Sequence, residues 1–248
     1  DAPVAVDNSG TAIATGSATQ GFNPSGNLLI NDSDVDHNST QLKVTAARTG
    51  TEAAGTGTAL TVGASYTAQY GTIIINADGS WSYTLNNANT SVIALGASQT
   101  LTEVFTYTVK DSTNLTHTAT ITVKVNGAND APIVANALAD TTGTEGAAFS
   151  YTVPAGSFTD VDNATLTYTA TLADGSALST KGLSFDAGNR TVYGTAATAG
   201  TISVKVTAKD GGNLSATDTF DIVVGSANTA PVPNPCGPAL VQWLAPRA

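Results

Sequence analysis

The chain has no methionine, a single cysteine, two histidines and only nine lysines and arginines among 248 residues. Each scarcity removes a class of protein. One cysteine cannot close an internal disulfide, so stability outside a cell must come from another source. Against the few basic residues stand 19 acidic ones, and the net charge is −10. Nucleic acids and anionic membrane surfaces both call for clustered Lys and Arg, so neither is an expected partner. No apolar run reaches the length of about 18 residues that a membrane-spanning helix needs, so no membrane insertion is expected. The sequence opens at Asp1 without Met or a signal-like segment, and we read it as a piece of a longer polypeptide.

What is abundant is Thr, Ala, Gly and Val. Thr and Val favour pleated strands, and Gly punctuates them. At 41% hydrophobic residues the chain has enough apolar side chains to build cores.

The chain repeats itself. Lys110-Asp111-Ser112-Thr113-Asn114-Leu115 returns 99 positions later as Lys209-Asp210-Gly211-Gly212-Asn213-Leu214. The match runs on to Ala128-Asn129-Asp130-Ala131-Pro132 against Ala227-Asn228-Thr229-Ala230-Pro231, and Asp1-Ala2-Pro3 repeats the same punctuation. These boundaries set out units at 1–130 and 131–228. Pro fixes φ and holds its neighbour extended, so the connector is short and stiff. Segment 229–248 shifts abruptly to a Pro-rich composition holding Cys236 and Trp243. We read it as an appended or connecting tail whose apolar run invites docking on a neighbour.

Within the units the period is two. Phe105-Thr106-Tyr107-Thr108-Val109 and Ile202-Ser203-Val204-Lys205-Val206 alternate large apolar residues with Thr, Ser or Lys, as strands with one buried face do. Asn76-Ala77-Asp78-Gly79 and Asp186-Ala187-Gly188-Asn189 sit between such strands and read as hairpin turns. The fold predicted is all-β, with two tandem Ig/cadherin-like Greek-key β-sandwich domains arranged end to end.

The acids gather in loops. Asp32-Ser33-Asp34-Val35-Asp36 and Asp160-Val161-Asp162 each precede a Thr-rich strand. Two readings compete. Asp favours turns on its own account. Carboxylates one residue apart also repel each other unless a cation neutralises them. Of the cations, calcium takes six to eight oxygens in irregular loops, whereas zinc asks for His or Cys, which are nearly absent.

Further motifs carry a family resemblance. Gly26-Asn27-Leu28-Leu29-Ile30-Asn31-Asp32-Ser33-Asp34-Val35-Asp36, Asn76-Ala77-Asp78-Gly79-Ser80-Trp81-Ser82-Tyr83 and Phe105-Thr106-Tyr107-Thr108-Val109-Lys110-Asp111 resemble a VCBS-type domain. Glu145-Gly146, Phe149-Ser150-Tyr151, Phe158-Thr159-Asp160-Val161-Asp162 and Leu183-Ser184-Phe185-Asp186 resemble the dystroglycan-type cadherin-like family. Both families are common in large bacterial RTX-type adhesins and occur in some polysaccharide-degrading enzymes. The resemblance implies a secreted or cell-surface protein with Ca2+ at its domain junctions. It gathers Asn129, Asp130, Asp160, Asp162 and Asp210 at one site. At the other it gathers Asp32, Asp34, Asp36 and Asp111, with Asp1 or Asp7 beside them. Glu103 and Glu145 are added as contributors from the opposite ends of the sandwiches. Thr229, where the first connector has Asp130, departs from the pattern.

The function expected is a stiff extender or adhesion module in cell-surface and biofilm attachment, its partners being neighbouring modules of the same polypeptide. The alternative is a carbohydrate- or peptide-binding module, for which Trp81, Tyr66, Tyr70, Tyr83 and Tyr193 are the aromatic candidates. Trp81 and Tyr83 share one strand face, as core residues do. His37 and His117 lack a Ser or Cys nucleophile motif around them, and no enzyme is expected.

Overall fold

A computed structural model of the chain describes residues 1–227 except Ala18 and Ser39, so the tail 229–248 lies outside the described residues. Alternation of side chains turns directly into strands. Along Thr100–Lys110, Glu103, Phe105, Tyr107 and Val109 face inward, and along Gly200–Lys209 so do Ile202, Val204, Val206 and Ala208.

The first half holds nine strands: β1 (Asn8–Ile13), β2 (Ser25–Asn27), β3 (Lys43–Thr49), β4 (Ala59–Leu60), β5 (Ser65–Thr67), β6 (Gly71–Ile75), β7 (Ser80–Leu85), β8 (Thr100–Lys110) and β9 (Thr116–Asn126). They form two sheets, ordered β1-β9-β8-β3-β4 and β2-β7-β6-β5. One apolar cluster joins them, with Val44, Phe105, Ile121 and Val123 from one sheet meeting Ile73, Ile75, Trp81 and Tyr83 from the other. That is a sandwich core. The hairpin between β6 and β7 turns at Gly79 with φ of +83°. A Cβ there would also sit 2.6 Å from Leu29 Cγ, so both the turn and the packing call for Gly.

The second half also holds nine strands: β10 (Ile133–Val134), β11 (Thr141–Thr144), β12 (Ala148–Thr152), β13 (Phe158–Thr159), β14 (Thr167–Leu172), β15 (Leu183–Asp186), β16 (Thr191–Thr195), β17 (Gly200–Lys209) and β18 (Ser215–Gly225). Sheets β11-β18-β17-β14 and β12-β16-β15 share a separate core that includes Val192, Val204, Phe220 and Ile222, with β10 and β13 pairing at the edge. The halves share their topology. In each, an early strand runs parallel to the last one, β1 to β9 and β11 to β18. The molecule is two tandem Ig/cadherin-like β-sandwiches.

Trp81 and Tyr83 are buried in the first core, Tyr66 and Tyr70 pack against it, and Tyr193 is the one aromatic of the five that is exposed.

Glu103 points into that core. It sits in the same period-two register as Phe105 and Tyr107, accepts from the Tyr83 hydroxyl at 2.5 Å and accepts from the Tyr70 N–H at 3.0 Å. Burial, followed by the bond to Glu103, raises the Tyr83 hydroxyl well above the usual phenol range. Glu103→Ala strands two buried donors, at about 1–3 kcal/mol each. The expected result is a lower melting temperature, read by circular dichroism, and an unchanged one would show that these bonds contribute nothing to the first core.

Candidate metal centre

Each sandwich presents the same loop geometry. Asp34 Oδ1 accepts from the backbone N–H of Asp36 at 2.8 Å and of His37 at 3.1 Å. In the second half Asp160 Oδ1 accepts from Asp162 N–H at 3.1 Å and Asn163 N–H at 3.0 Å. This is the local turn that Asp side chains favour, and it uses one oxygen of each carboxylate. The other oxygen, Oδ2 of Asp34 and of Asp160, is buried with no donor. A buried carboxylate oxygen without a partner is costly.

The downstream loops match as well. Asp111 Oδ1 and Asp210 Oδ1 each accept at 2.8 Å, from the N–H of Leu115 and of Leu214. Asn114 and Asn213 take the positive φ that each turn requires, +73° and +74°. Asp111 and Asp210 are both buried.

Between the sandwiches the connector joins this geometry. Asp130 N–H donates to Asp162 Oδ2 at 3.3 Å, and Asn129 Nδ2 donates to Asp210 Oδ2 at 2.8 Å. Asn163 Nδ2 donates to Asp162 Oδ1 at 2.8 Å and to Asn129 Oδ1 at 3.1 Å. From the first sandwich, Ser17 Oγ donates to Asp130 Oδ1 at 3.4 Å and accepts from Ala131 N–H at 2.8 Å. Gly127 packs so closely on Gly96 that a Cβ would lie 2.4 Å from the Gly96 carbonyl oxygen. The five residues expected at the connector therefore form one hydrogen-bonded group, with Asn163 and Ser17 as members that sequence reasoning missed. Asn163 directly follows Asp162, which was the available signal. Ser17 carried none.

The electrostatics differ between the two loops. Burial, together with the neighbouring Asp160 carboxylate, pushes Asp162 up to about 6. Burial also opposes ionisation of Asp34, but the Asp36 N–H and the His37 ring outweigh it and hold the carboxyl below the usual range. Asp111 likewise ends below it, burial being outweighed by bonds from Thr113 and Leu115.

In the first sandwich, Asp34, His37 and Asp111 offer ligand atoms that all lie within 4.8 Å of one another. Asp36 stands at the rim, paired with the Asp1 amine at 2.5 Å. Asp32 turns the other way. The backbone bridge between Val4 and Ser33 sends its side chain inward, where Oδ1 accepts from Val6 N–H at 2.7 Å. Its neighbours are Val6, Tyr107 and His117, and burial raises its pKa. Asp7 is likewise used elsewhere, accepting from Thr120 N–H at 2.8 Å. Glu145 reaches neither cluster. Its N–H bonds Gly225 at the far end of β18, about 35 Å along that strand from the Asp210 loop.

The donor set is carboxylates and side-chain amides in irregular loops, joined by the His37 imidazole in the first sandwich, with orphaned buried oxygens on Asp34 and Asp160. Such a set fits a hard divalent cation. Asn129 and Asn163 now direct N–H groups at the carboxylates, and half a turn of either amide presents Oδ1 instead.

Residues 1–127 match the family model described as "Bacterial cadherin-like domain", and residues 131–225 match the one described as "Putative Ig domain". No curated protein matches the sequence. Among solved structures the chain is similar to Drosophila N-cadherin EC1-4, at 11% identity and a TM-score of 0.49, covering 91% of this chain and 50% of that one. Protocadherin Gamma B2 extracellular cadherin domains 3-6 match at 14% identity and a TM-score of 0.48, covering 91% and 53%. Mouse cadherin-23 EC22-24 matches at 14% identity and a TM-score of 0.45, covering 91% and 64%. The chain thus spans about half to just under two thirds of the length of these structures. With just over half of its residues matched by the first of the two models, the chain belongs to the family of bacterial cadherin-like domains.

Proposed function

We propose that this chain is a calcium-stabilised extracellular module of a large bacterial surface adhesin, acting as a stiff extender between other modules. The observation that carries the reading is the connector. There, carboxylates from the second sandwich and polar groups of the linking segment converge around Asp160, whose buried Oδ2 lacks a donor. Asp130, Asp160, Asp162 and Asp210, with the side-chain oxygens of Asn129 and Asn163, would hold the ion. Asp34, Asp36 and Asp111 would hold a divalent ion in the first sandwich. A divalent ion supplies the positive charge that these loops lack and binds several oxygens at once.

The chain's own residues supply the rest. Asp160 and Asp210 fix the loops through backbone N–H groups. Asp162 and Asn129 tie the second sandwich to the connector. Ser17 ties the connector to the first sandwich. With the charges neutralised, these bonds hold the two sandwiches at one angle. Extracellular calcium modules bind at about 10⁻⁴ to 10⁻³ M, so millimolar calcium outside a cell occupies from about half to most of such sites and cytosolic levels leave them empty. A stiff spacer that sets only after export follows.

The test is small-angle scattering of the full chain in chelator and in calcium. Calcium is expected to narrow the distribution of interdomain distances, with saturation in the millimolar range. Identical scattering profiles in both conditions would remove the extender role.

A further inference from the structure

The structure assigns to Asp34, His37 and Asp111 a mixed nitrogen-and-oxygen site for a divalent transition-metal ion of the zinc type. It deepens the proposed role of the first sandwich's carboxylates as cation ligands and rests on that part of it. The two acidic loops are alike in backbone hydrogen bonding, yet they differ at one position. Where the second has Asn163, the first has His37. An amide offers a cation only oxygen, whereas an imidazole offers a nitrogen lone pair, which zinc-type ions prefer and calcium does not.

The geometry is built for this. His37 Nδ1 lies 3.2 Å from Asp34 Oδ1 and 4.0 Å from Asp111 Oδ2. Ligands about 2.1 Å from a tetrahedral ion stand about 3.4 Å apart, between those two separations. The Asp34 and Asp111 side chains are 0% exposed and His37 is 11% exposed, so the donors need little further desolvation. A second and independent pointer is that Asp34, a member of this cluster, carries a buried Oδ2 without any donor. The far side of the ring is also in place. His37 Nε2 and Ser112 Oγ are 2.7 Å apart, so Ser112 can accept from the Nε2–H tautomer, which leaves the Nδ1 lone pair for the ion. Metal-bound imidazoles commonly carry such an outer partner, and it fixes the ring.

The order Ser112–His37–Asp34 also resembles a hydrogen-bonded nucleophile triad. That arrangement leaves Asp111 unused, whereas a metal ion uses it.

The test uses the full chain carrying Cys236→Ser, which removes the one thiol. After chelator treatment and desalting it is titrated with Zn2+, followed by calorimetry and by nitrogen-15 spectra of the two imidazoles. The expected result is one Zn2+ per chain, with the His37 Nδ1 resonance moving and His117 still. His37→Asn, which copies the second loop, should weaken zinc binding by at least about tenfold, and Ser112→Ala by about tenfold. Both should keep the calcium-dependent rise in melting temperature. Zinc bound equally by His37→Asn, or perturbing His117 alone, overturns the inference. So does labelling of Ser112 by a fluorophosphonate probe, which would mark a nucleophile instead. No zinc binding beside an intact calcium response overturns this inference alone, and loss of both removes the calcium reading as well.

Discussion

Asp160→Asn is expected to leave the melting temperature in chelator unchanged or slightly raised, and to abolish the calcium-dependent rise of the second sandwich. Asn keeps an Oδ1 to accept from the Asp162 and Asn163 N–H groups, so the turn survives. It removes the charge that burial sets against Asp162, which is already pushed up to about 6. In chelator that repulsion is a cost to the native chain and is absent from the variant. In calcium the balance reverses, because the buried Oδ2 that the ion would occupy is replaced by an N–H donor. At free calcium 100 times the dissociation constant, one site contributes about 2.7 kcal/mol. For a unit of about 100 residues this corresponds to about 10–20 °C. Scanning calorimetry in chelator and in 10 mM calcium reads the difference. A variant that keeps the full calcium shift would show that Asp160 holds no ion.

Phe220→Ala should sharply lower the melting temperature of the second sandwich while the first keeps its own. Phe220 is 1% exposed and its ring stacks on Tyr151 at 4.3 Å between centroids. Removing a buried Phe costs about 3–5 kcal/mol, against a total of about 5–14 kcal/mol for a unit of this size. The two apolar cores share no residues, so the loss should stay on one side of the connector. Trp81, buried in the first core, reports that side, and Trp243→Phe in the background removes the other tryptophan signal. The expected outcome is a low-temperature transition in circular dichroism without a change in Trp81 emission. If Trp81 melts at that same lowered temperature, the sandwiches form a single cooperative unit.

How far the site was legible follows from particular residues. Asp34, Asp111, Asp160 and Asp210 stand out in the sequence because the same loops recur 99 positions apart for the downstream pair, and as Asp-Val-Asp upstream. Glu103 faces the first core, and the signal for that was present. It shares parity with Phe105, Tyr107 and Val109, and a residue in that register faces the core. The surroundings of Asp32 gave less warning, since only the bridge from Val4 to Ser33 turns it toward Val6, Tyr107 and His117. Scarce His and Cys argue against zinc in the sequence, but composition does not report proximity, and His37 lies beside Asp34 and Asp111.

The amino-acid sequence alone determined two strand-rich units, their shared punctuation and the loops that carry the negative charge. Alternation, turn chemistry and internal repetition are local, so they survive in a string of letters. Only the tertiary structure decided which acids meet. Asp34 reaches Asp111 and His37, Asp162 reaches the connector backbone, and Glu103 reaches Tyr83, across separations from a few to about eighty positions. Those meetings depend on strand register and sheet packing, where a shift of one residue reverses the face that each side chain takes.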